Sequence, residues 1–190
     1  MQKKTKVVIV VPYVSQDGMG VPKLAKLLKK RAGVPVEIYT VNGEELGWIG
    51  THNKMAKELD FDWYIYCPSD YFPGRDFVKK ALEVASSTKK KLIGLNDGKW
   101  HGSNATAGMV SKDLIPMLYR GTLFYPGYKH HGSDPDITEK AMLLNEYAYA
   151  PEALLVEIDY EKDFISSKDR LNQADVRLFM KRRANKFPRD

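Results

Sequence analysis

The sequence has one cysteine and no long apolar segment. Cys67 is the only cysteine in 190 residues, which excludes an internal disulfide and a metal site built from several cysteines. It lies within an apolar run, so we expect a small buried side chain rather than a reactive thiol. No apolar run approaches the length of a membrane-spanning helix, about 20 residues. The basic start leads only into the short apolar run 7–11, so we expect no signal peptide and a cytoplasmic location.

Two common phosphate-binding motifs are also missing. The loop at residues 15–20 contains Gly18 and Gly20, and glycine there lets backbone N–H groups approach an anion at a helix start. The loop lacks the third glycine of a dinucleotide-binding fingerprint and the Gly-Lys-Ser/Thr of a P-loop. Pro22-Lys23 follows it, as in sugar nucleotidylyltransferases, but the arginine-bearing signature of those enzymes is absent. We interpret the segment as a flexible loop.

The composition is that of a globular domain with excess positive charge. Hydrophobic residues make up 43% of the chain and the net charge is +6, and this length suits one domain with a buried core. The last fourteen residues carry one acid and six basic residues, namely Arg177, Lys181, Arg182, Arg183, Lys186 and Arg189. Such an end can contact nucleic acid or an anionic membrane surface, although a solvated tail is the commoner case.

Apolar runs alternate with helical patterns along the chain. Strands are predicted at residues 7–11, 34–41, 63–67, 92–95, 107–110 and 147–158, and helices at 22–32, 50–59, 74–87, 133–144 and 166–185. Apolar strands of this kind are typical of parallel sheets covered on both faces. We therefore predict a single-domain, Rossmann-like α/β fold with a mostly parallel central sheet flanked by helices.

The strand at residues 63–67 runs into a loop with a single carboxylate. Asp70 lies between Pro68 and Pro73, just beyond the carboxyl end of a strand, where open α/β sheets bind ligands. An aspartate there can hold a divalent cation that neutralises a diphosphate. It can equally cap a turn before the next helix. Both interpretations stay open.

A second polar loop covers residues 96–106, with Trp100 and His101 near its middle. An aromatic side chain on a loop usually covers an apolar edge, but tryptophan also stacks on sugar rings and bases. This loop is therefore a candidate for ligand contact.

Two histidines and two aspartates lie close together after an aromatic-rich loop. His130 and His131 offer metal ligands, and Asp134 and Asp136 offer a general base. Adjacent imidazoles do not easily bind the same ion, so at most one of them is a ligand. The alternative for Asp134 is structural, because Asp before Pro favours a helix start.

In this order, the segments resemble the GT-A glycosyltransferases, in particular the small family-two-like enzymes of bacteria and phages. The resemblance covers residues 6–158. Residues 7–13 look like the family's first strand. Asn53 is similar to its helix asparagine, and residues 63–70 are similar to its metal-binding strand. Its acceptor half resembles residues 95–98, 111–114 and 130–136. It implies a GT-A domain at residues 1–165, with a basic helix or tail at 166–190 that packs on the domain or extends from it.

Two positions depart from the family pattern. The usual acidic triplet is reduced to one carboxylate in Pro68-Ser69-Asp70, and the acidic residue expected after the second strand is replaced around Asn42. The first departure implies that the metal depends on Asp70, the diphosphate and a histidine. The second leaves the choice of base open.

The resemblance implies a metal-dependent glycosyltransferase that moves a sugar from a nucleotide-sugar, UDP-sugar first, to an acceptor hydroxyl with inversion. Asp70 and His131 would hold Mn²⁺ or Mg²⁺, and Asp134, or else Asp136, would be the catalytic base. The implied nucleotide-sugar contacts are Pro12, Tyr13, Asn42, Asn53, Ser69 and Asp70. The implied acceptor contacts are Asp97, Trp100, His101, Tyr128 and His130.

The acceptor is less constrained. A saccharide, a lipid-linked sugar or a modified base in phage DNA all fit, the last in the bacterial host cytoplasm if the protein is phage-encoded. Two other functions remain as alternatives: a non-catalytic nucleic-acid-binding domain that uses the basic end and the aromatics, and a sugar nucleotidylyltransferase.

Overall fold

The computed structural model describes residues 5–14, 20–129, 131–158 and 172–189. The strands are β1 (Val7–Tyr13), β2 (Glu37–Asn42), β3 (Trp63–Tyr66), β4 (Tyr71–Pro73), β5 (Leu92–Asn96), β6 (Gly108–Ser111) and β7 (Tyr147–Glu157). The helices are α1 (Val21–Arg31), α2 (Gly47–Glu58), α3 (Phe77–Thr88), α4 (Ser133–Leu143) and α5 (Gln173–Ala184), and Lys112–Met117 forms a 3₁₀ helix. No helix in these ranges is both long and apolar enough to cross a membrane.

The seven described strands form one sheet in the order β2-β1-β3-β6-β5-β7-β4. β1 pairs in parallel with β2 and β3, and β5 pairs in parallel with β7. β6 lies antiparallel between β3 and β5, and β4 is antiparallel to β7. Five strands therefore point the same way, and their carboxyl ends meet at one edge, here called the carboxyl edge. The predicted α/β fold with a mostly parallel sheet is confirmed.

The alternation of β1 explains why helices cover both faces of the sheet. Successive side chains of a strand point to opposite faces. Ile9 belongs to an apolar cluster with Leu28 of α1 and Phe77 of α3. Val10 belongs to a second cluster with Ile137 of α4, on the opposite face. Burial on both faces accounts for the unbroken apolar sequence of this strand.

Some local details differ from the expectations. β4 was not expected. It follows β3 after only four residues and pairs antiparallel with β7 at the edge of the sheet. Thr51 lies inside α2, and its hydroxyl donates to the Gly47 carbonyl at 2.6 Å. α4 begins at Ser133 after Gly132, whose φ of +88° suits glycine.

The C-terminal helix α5 packs on the α4 face of the sheet. Leu178 contacts the second cluster, whereas Ala174 is exposed. Asp175 and Arg182 are buried instead, at 2% and 4% exposure. Polar contacts therefore select the inward face of α5. The predicted helix positions 166–171 lie outside the described residues.

Candidate active site

The ends of β3, β5 and β7 bring two aspartates to the same place. Asp70 follows β3 and Asp97 follows β5. The backbone N–H of Glu157 donates to the Asp97 carbonyl at 3.3 Å, and the N–H of Ile158 donates to the Asp70 carbonyl at 3.1 Å. Consecutive amides at the end of β7 thus hold both aspartate-bearing loops at the carboxyl edge, where α/β sheets bind ligands.

Asp97 is enclosed by hydrogen bonds. The carboxylate is 2% exposed. Its Oδ2 accepts from Thr106 at 2.5 Å, and the Tyr71 hydroxyl donates to Thr106 at 2.8 Å. Its Oδ1 accepts the N–H groups of Lys99 and Trp100, each at 2.9 Å. Asp97 therefore shapes the loop that presents Trp100, which is 51% exposed, and the expected direct contact with an acceptor would require these bonds to break.

Asp134 lies in the first turn of α4 with its carboxyl group inside the same region. The Asn104 amide donates to Asp134 Oδ2 at 3.3 Å, and the Thr138 hydroxyl donates to the Asp134 carbonyl at 2.6 Å. Burial raises the pKa of Asp134, and the negative charge of Asp97 adds to the rise. Hydrogen bonds from the backbone, Asn104 and Ser133 lower this pKa and offset part of the effect. A carboxylate whose pKa is raised is a better general base.

Two buried tyrosines, Tyr66 and Tyr71, lie close enough to these carboxylates for the negative charges to affect their pKa values. Burial raises the pKa of Tyr66, and the charge of Asp134 is the next cause. Burial also raises the pKa of Tyr71; its bond to Thr106 opposes this, whereas the charges of Glu157, Asp97 and Asp70 reinforce it. Asn104 binds Asp134, and Thr106, two residues later, binds Asp97, and the Glu157 and Ile158 N–H groups bind the Asp97 and Asp70 carbonyls, so the four acidic residues lie in one region at the carboxyl edge. We call it the carboxylate cleft, formed by Asp70, Asp97, Asp134 and Glu157.

The expected nucleotide side lies at the same edge. Pro12 is buried and Tyr13 half-buried at the end of β1, next to Asn42 at the end of β2. Asn42 Oδ1 accepts the N–H of Glu44 at 2.9 Å, which shapes the turn after β2. Ser69 is half-buried beside Asp70, after β3, and β3 is paired with β1. The structure thus brings these predicted residues to neighbouring strand ends.

Asn53 differs from the other expected nucleotide contacts. Its Oδ1 accepts the N–H of Phe124 at 2.8 Å, and its Nδ2 donates to the Phe124 carbonyl at 3.0 Å. Both ends of the amide therefore hold the loop before α4. A contact between Asn53 and a nucleotide would require these two bonds to break.

Asp136 and Tyr128 also occupy structural positions. Asp136 is fully buried, and Arg182 of α5 donates to its Oδ2 at 2.6 Å. Tyr119 donates to Oδ1 at 2.5 Å and Tyr128 to Oδ2 at 2.7 Å. The Asp136 carboxylate is thus bonded to three donors and buried away from solvent, which does not suit the alternative role of base. Tyr128 is 4% exposed and is not positioned as an acceptor platform.

The histidine pair is only partly described. His130 lies outside the described residues, and His101 is exposed on the loop that carries Trp100. The N–H of His131 donates to Asp175 at 2.9 Å, and its Nδ1 accepts the N–H of Asn172 at 3.3 Å. The Nδ1 atom of His131 is therefore already engaged by a backbone N–H group.

The donor set around Asp70 fits a metal that is bound together with a diphosphate. Within residues 5–14, 20–129, 131–158 and 172–189, no three His, Cys, Asp or Glu side chains form a group that could hold a metal ion. Mg²⁺ and similar cations commonly use one or two carboxylates, water and substrate phosphates. The half-buried Asp70 at the strand end fits this mode and does not fit a metal centre built by the protein alone.

Sequence reasoning did not single out several residues that organise the carboxylate cleft. Asn104 and Thr106 bind the two aspartates, and Glu157 pairs with Lys99 at 3.0 Å. The polar run at residues 96–106 was the available signal for Asn104 and Thr106. For Glu157, at the end of a long strand, no local pattern distinguishes it from an ordinary exposed acid.

No model of a known protein family matches the sequence, and no curated protein sequence matches it either. Solved structures do match. TarS 1–349 from S. aureus with UDP-GlcNAc has a TM-score of 0.64 at 13% identity, covering 92% of this chain and 65% of that chain. The mannosyltransferase PcManGT from Pyrobaculum calidifontis with GDP-Man and Mn²⁺ gives 0.61 at 12% identity, covering 82% and 57%. A mutant Drosophila β1,4-galactosyltransferase 7 with manganese, UDP-Gal and xylobiose gives 0.62 at 13% identity, covering 98% and 81%.

The similarity concerns the fold rather than the sequence. This chain spans 62% of one TarS structure and 57% of the mannosyltransferase structure. The shared part includes the mixed sheet flanked by helices, since up to 98% of this chain is covered. The chain therefore has the GT-A fold of nucleotide-sugar glycosyltransferases.

Proposed function

We propose that this protein is a metal-dependent glycosyltransferase that transfers a sugar from a nucleotide-sugar to an acceptor hydroxyl with inversion. The observation that carries the proposal is the carboxylate cleft at the carboxyl edge of a GT-A fold. There, a carboxylate suited to a divalent cation, Asp70, lies in the same region as one suited to a base, Asp134. Asp70 follows β3 and Asp134 lies in α4, so one carboxylate can serve the donor and the other the acceptor.

The donor would lie across the ends of β1, β2 and β3. Pro12 and Tyr13 would contact the base, and Asn42 and Ser69 offer polar groups to the nucleotide. The donors named with the similar structures are UDP-GlcNAc, GDP-Man and UDP-Gal. Two of these three are uridine nucleotides, which supports a UDP-sugar as the first donor to test.

Asp70 would hold Mn²⁺ or Mg²⁺ against the diphosphate, with His131 as the second candidate ligand. When bound, such a cation neutralises charge on the departing nucleoside diphosphate. Two of the similar structures contain manganese. The Ile158 N–H donates to the main-chain carbonyl of Asp70, so the backbone that carries this carboxylate is fixed before the donor arrives.

Asp134 would take the proton of the acceptor hydroxyl while the hydroxyl oxygen bonds to the anomeric carbon and the bond to the diphosphate breaks. Asn104 orients Asp134 by donating to Oδ2 at 3.3 Å, and the Ser133 hydroxyl donates to Oδ1 over a longer distance of 3.5 Å. A single displacement of this kind inverts the configuration at the anomeric carbon.

A saccharide acceptor is favoured by the Trp100 loop. An exposed indole beside a carboxylate cleft suits stacking on a sugar ring, and Asp97 holds that loop in place. A modified base in phage DNA, or contact with nucleic acid or a membrane surface through the basic end, has less support. Of the basic side chains on α5, Arg182 and Arg183 are already paired with Asp136 and Glu139.

The proposal is tested by nucleotide-sugar binding and turnover. We expect UDP with Mn²⁺ to raise the melting temperature of the wild-type protein, because a ligand that binds only the folded state stabilises it. Asp70→Asn should lose this shift, whereas Asp134→Asn should keep it and lose sugar transfer. Asp113→Asn is the matched control, since Asp113 is exposed near the opposite edge of the sheet. Near-normal transfer by both Asp70→Asn and Asp134→Asn would refute the proposal.

Two other outcomes would select the alternatives. A DNA mobility shift that weakens with salt, without stabilisation by any nucleotide-sugar, would favour a nucleic-acid-binding domain. Pyrophosphate release from a nucleoside triphosphate and a sugar phosphate would favour a nucleotidylyltransferase.

A further inference from the structure

The C-terminal helix α5 is connected to the chain segment that leads into α4. Asp175 of α5 is 2% exposed, and its two carboxylate oxygens accept different backbone N–H groups of that segment. Oδ1 accepts from Lys129 at 3.0 Å and Oδ2 accepts from His131 at 2.9 Å. The N–H of Asn172 donates back to His131 Nδ1 at 3.3 Å. One end of α5 thus fixes the backbone just before the helix that carries Asp134.

A second buried contact, about two turns further along α5, joins this helix to α4 itself. Arg182 donates to Asp136 at 2.6 Å, and its guanidinium lies 3.4 Å from the centre of the Tyr125 ring. Asp136 occupies the first turn of α4 together with Asp134. α5 therefore contacts the chain on both sides of Asp134. Asp175 binds the backbone before it, and Arg182 binds the side chain two residues after it.

We propose that Asp175 is a positioning residue of the active site, which fixes the backbone entering α4 and thereby directs Asp134 into the carboxylate cleft. This inference rests on the proposed function of Asp134. A buried carboxylate destabilises the folded protein unless its oxygens accept hydrogen bonds. Asp175 therefore favours the one conformation of this segment in which both N–H groups reach it. Misplacement of a reacting group by about 1 Å can lower a rate by about 100-fold.

The informative substitution is Asp175→Asn, which keeps the size of the side chain. Asparagine offers one acceptor oxygen and presents an NH₂ donor where the second oxygen stood, so one of the two backbone N–H groups loses its acceptor. We expect kcat for sugar transfer from a UDP-sugar to fall at least tenfold, by a larger factor than any change in the donor KM. We also expect the amide hydrogen that loses its acceptor, that of Lys129 or that of His131, to exchange at least tenfold faster. Arg177→Ala, an exposed change on the same helix, should alter neither quantity.

Each outcome decides the proposal. Faster exchange at either amide with kcat within twofold of wild type would overturn it, because the segment would then be loosened without effect on the reaction. Unchanged exchange in Asp175→Asn would overturn it as well, because the carboxylate would not be holding the backbone. A wild-type protein that transfers no sugar would refute the proposed function instead, and the exchange rates alone would then show whether Asp175 fixes this segment.

Discussion

The buried ion pair between α4 and α5 leads to a quantitative expectation for stability. Arg182 and Asp136 side chains are 4% and 0% exposed, and their closest atoms are 2.6 Å apart. Arg182→Met keeps much of the side-chain length but removes the guanidinium. Asp136 would then be a buried carboxylate held by the hydroxyls of Tyr119 and Tyr128 alone. Removal of one member of a buried ion pair costs about 3–5 kcal/mol.

A loss of this size is large for a protein whose whole stability is about 5–15 kcal/mol. For a chain of this length, about 2–4 °C of melting temperature is lost per kcal/mol, so Arg182→Met should melt roughly 6–20 °C below wild type. Urea denaturation followed by circular dichroism measures the same loss as a lower midpoint with an unchanged slope.

The neighbouring arginine provides the control. Arg183 pairs with Glu139 at 2.8 Å, but its side chain is 60% exposed. Exposed ion pairs contribute about 0–1 kcal/mol, so Arg183→Met should be nearly neutral. If the two substitutions lowered the free energy of unfolding equally, the assignment of a buried anchor to Arg182 and Asp136 would be refuted.

Three further outcomes follow from the same structure. Asn104→Ala removes a hydrogen bond that lowers the pKa of Asp134; since the protonated form cannot act as a base, the acidic limb of the pH-rate profile should move to higher pH. Burial lowers the pKa of His52 to about 3, below its unfolded value of about 6.5. With respect to this group, the folded state therefore has its full stability above about pH 6.5 and loses up to about 1.4 kcal/mol per pH unit as the pH falls towards 3. In His52→Phe the free energy of unfolding should depend less steeply on pH in this range. Asn53→Ala removes both bonds to Phe124 and should lower the free energy of unfolding by about 1–3 kcal/mol, with the affinity for UDP and Mn²⁺ within twofold of wild type.

Local pattern was sufficient to predict every described strand except β4, and the edge where the candidate site lies. The unbroken apolar run of β1 has to be covered on both faces, because its alternating side chains enter two different clusters. The position of Asp70 was equally accessible, since a carboxylate directly after a buried strand lies at the carboxyl edge of any parallel sheet. Both conclusions depend on a few consecutive residues.

The role of each polar residue near the site depended on partners that are distant in sequence. Asn53 binds Phe124, Asp136 binds Arg182 and Asp175 binds His131, and no periodic pattern links such positions. The sequence by itself determined the α/β fold and the strand end that carries Asp70, because burial and strand direction are encoded locally. Only the tertiary structure separated Asp134, enclosed beside the carboxylate cleft, from Asp136, buried in an ion pair, because a carboxylate's basicity depends on the charges and donors that the folded chain places around it.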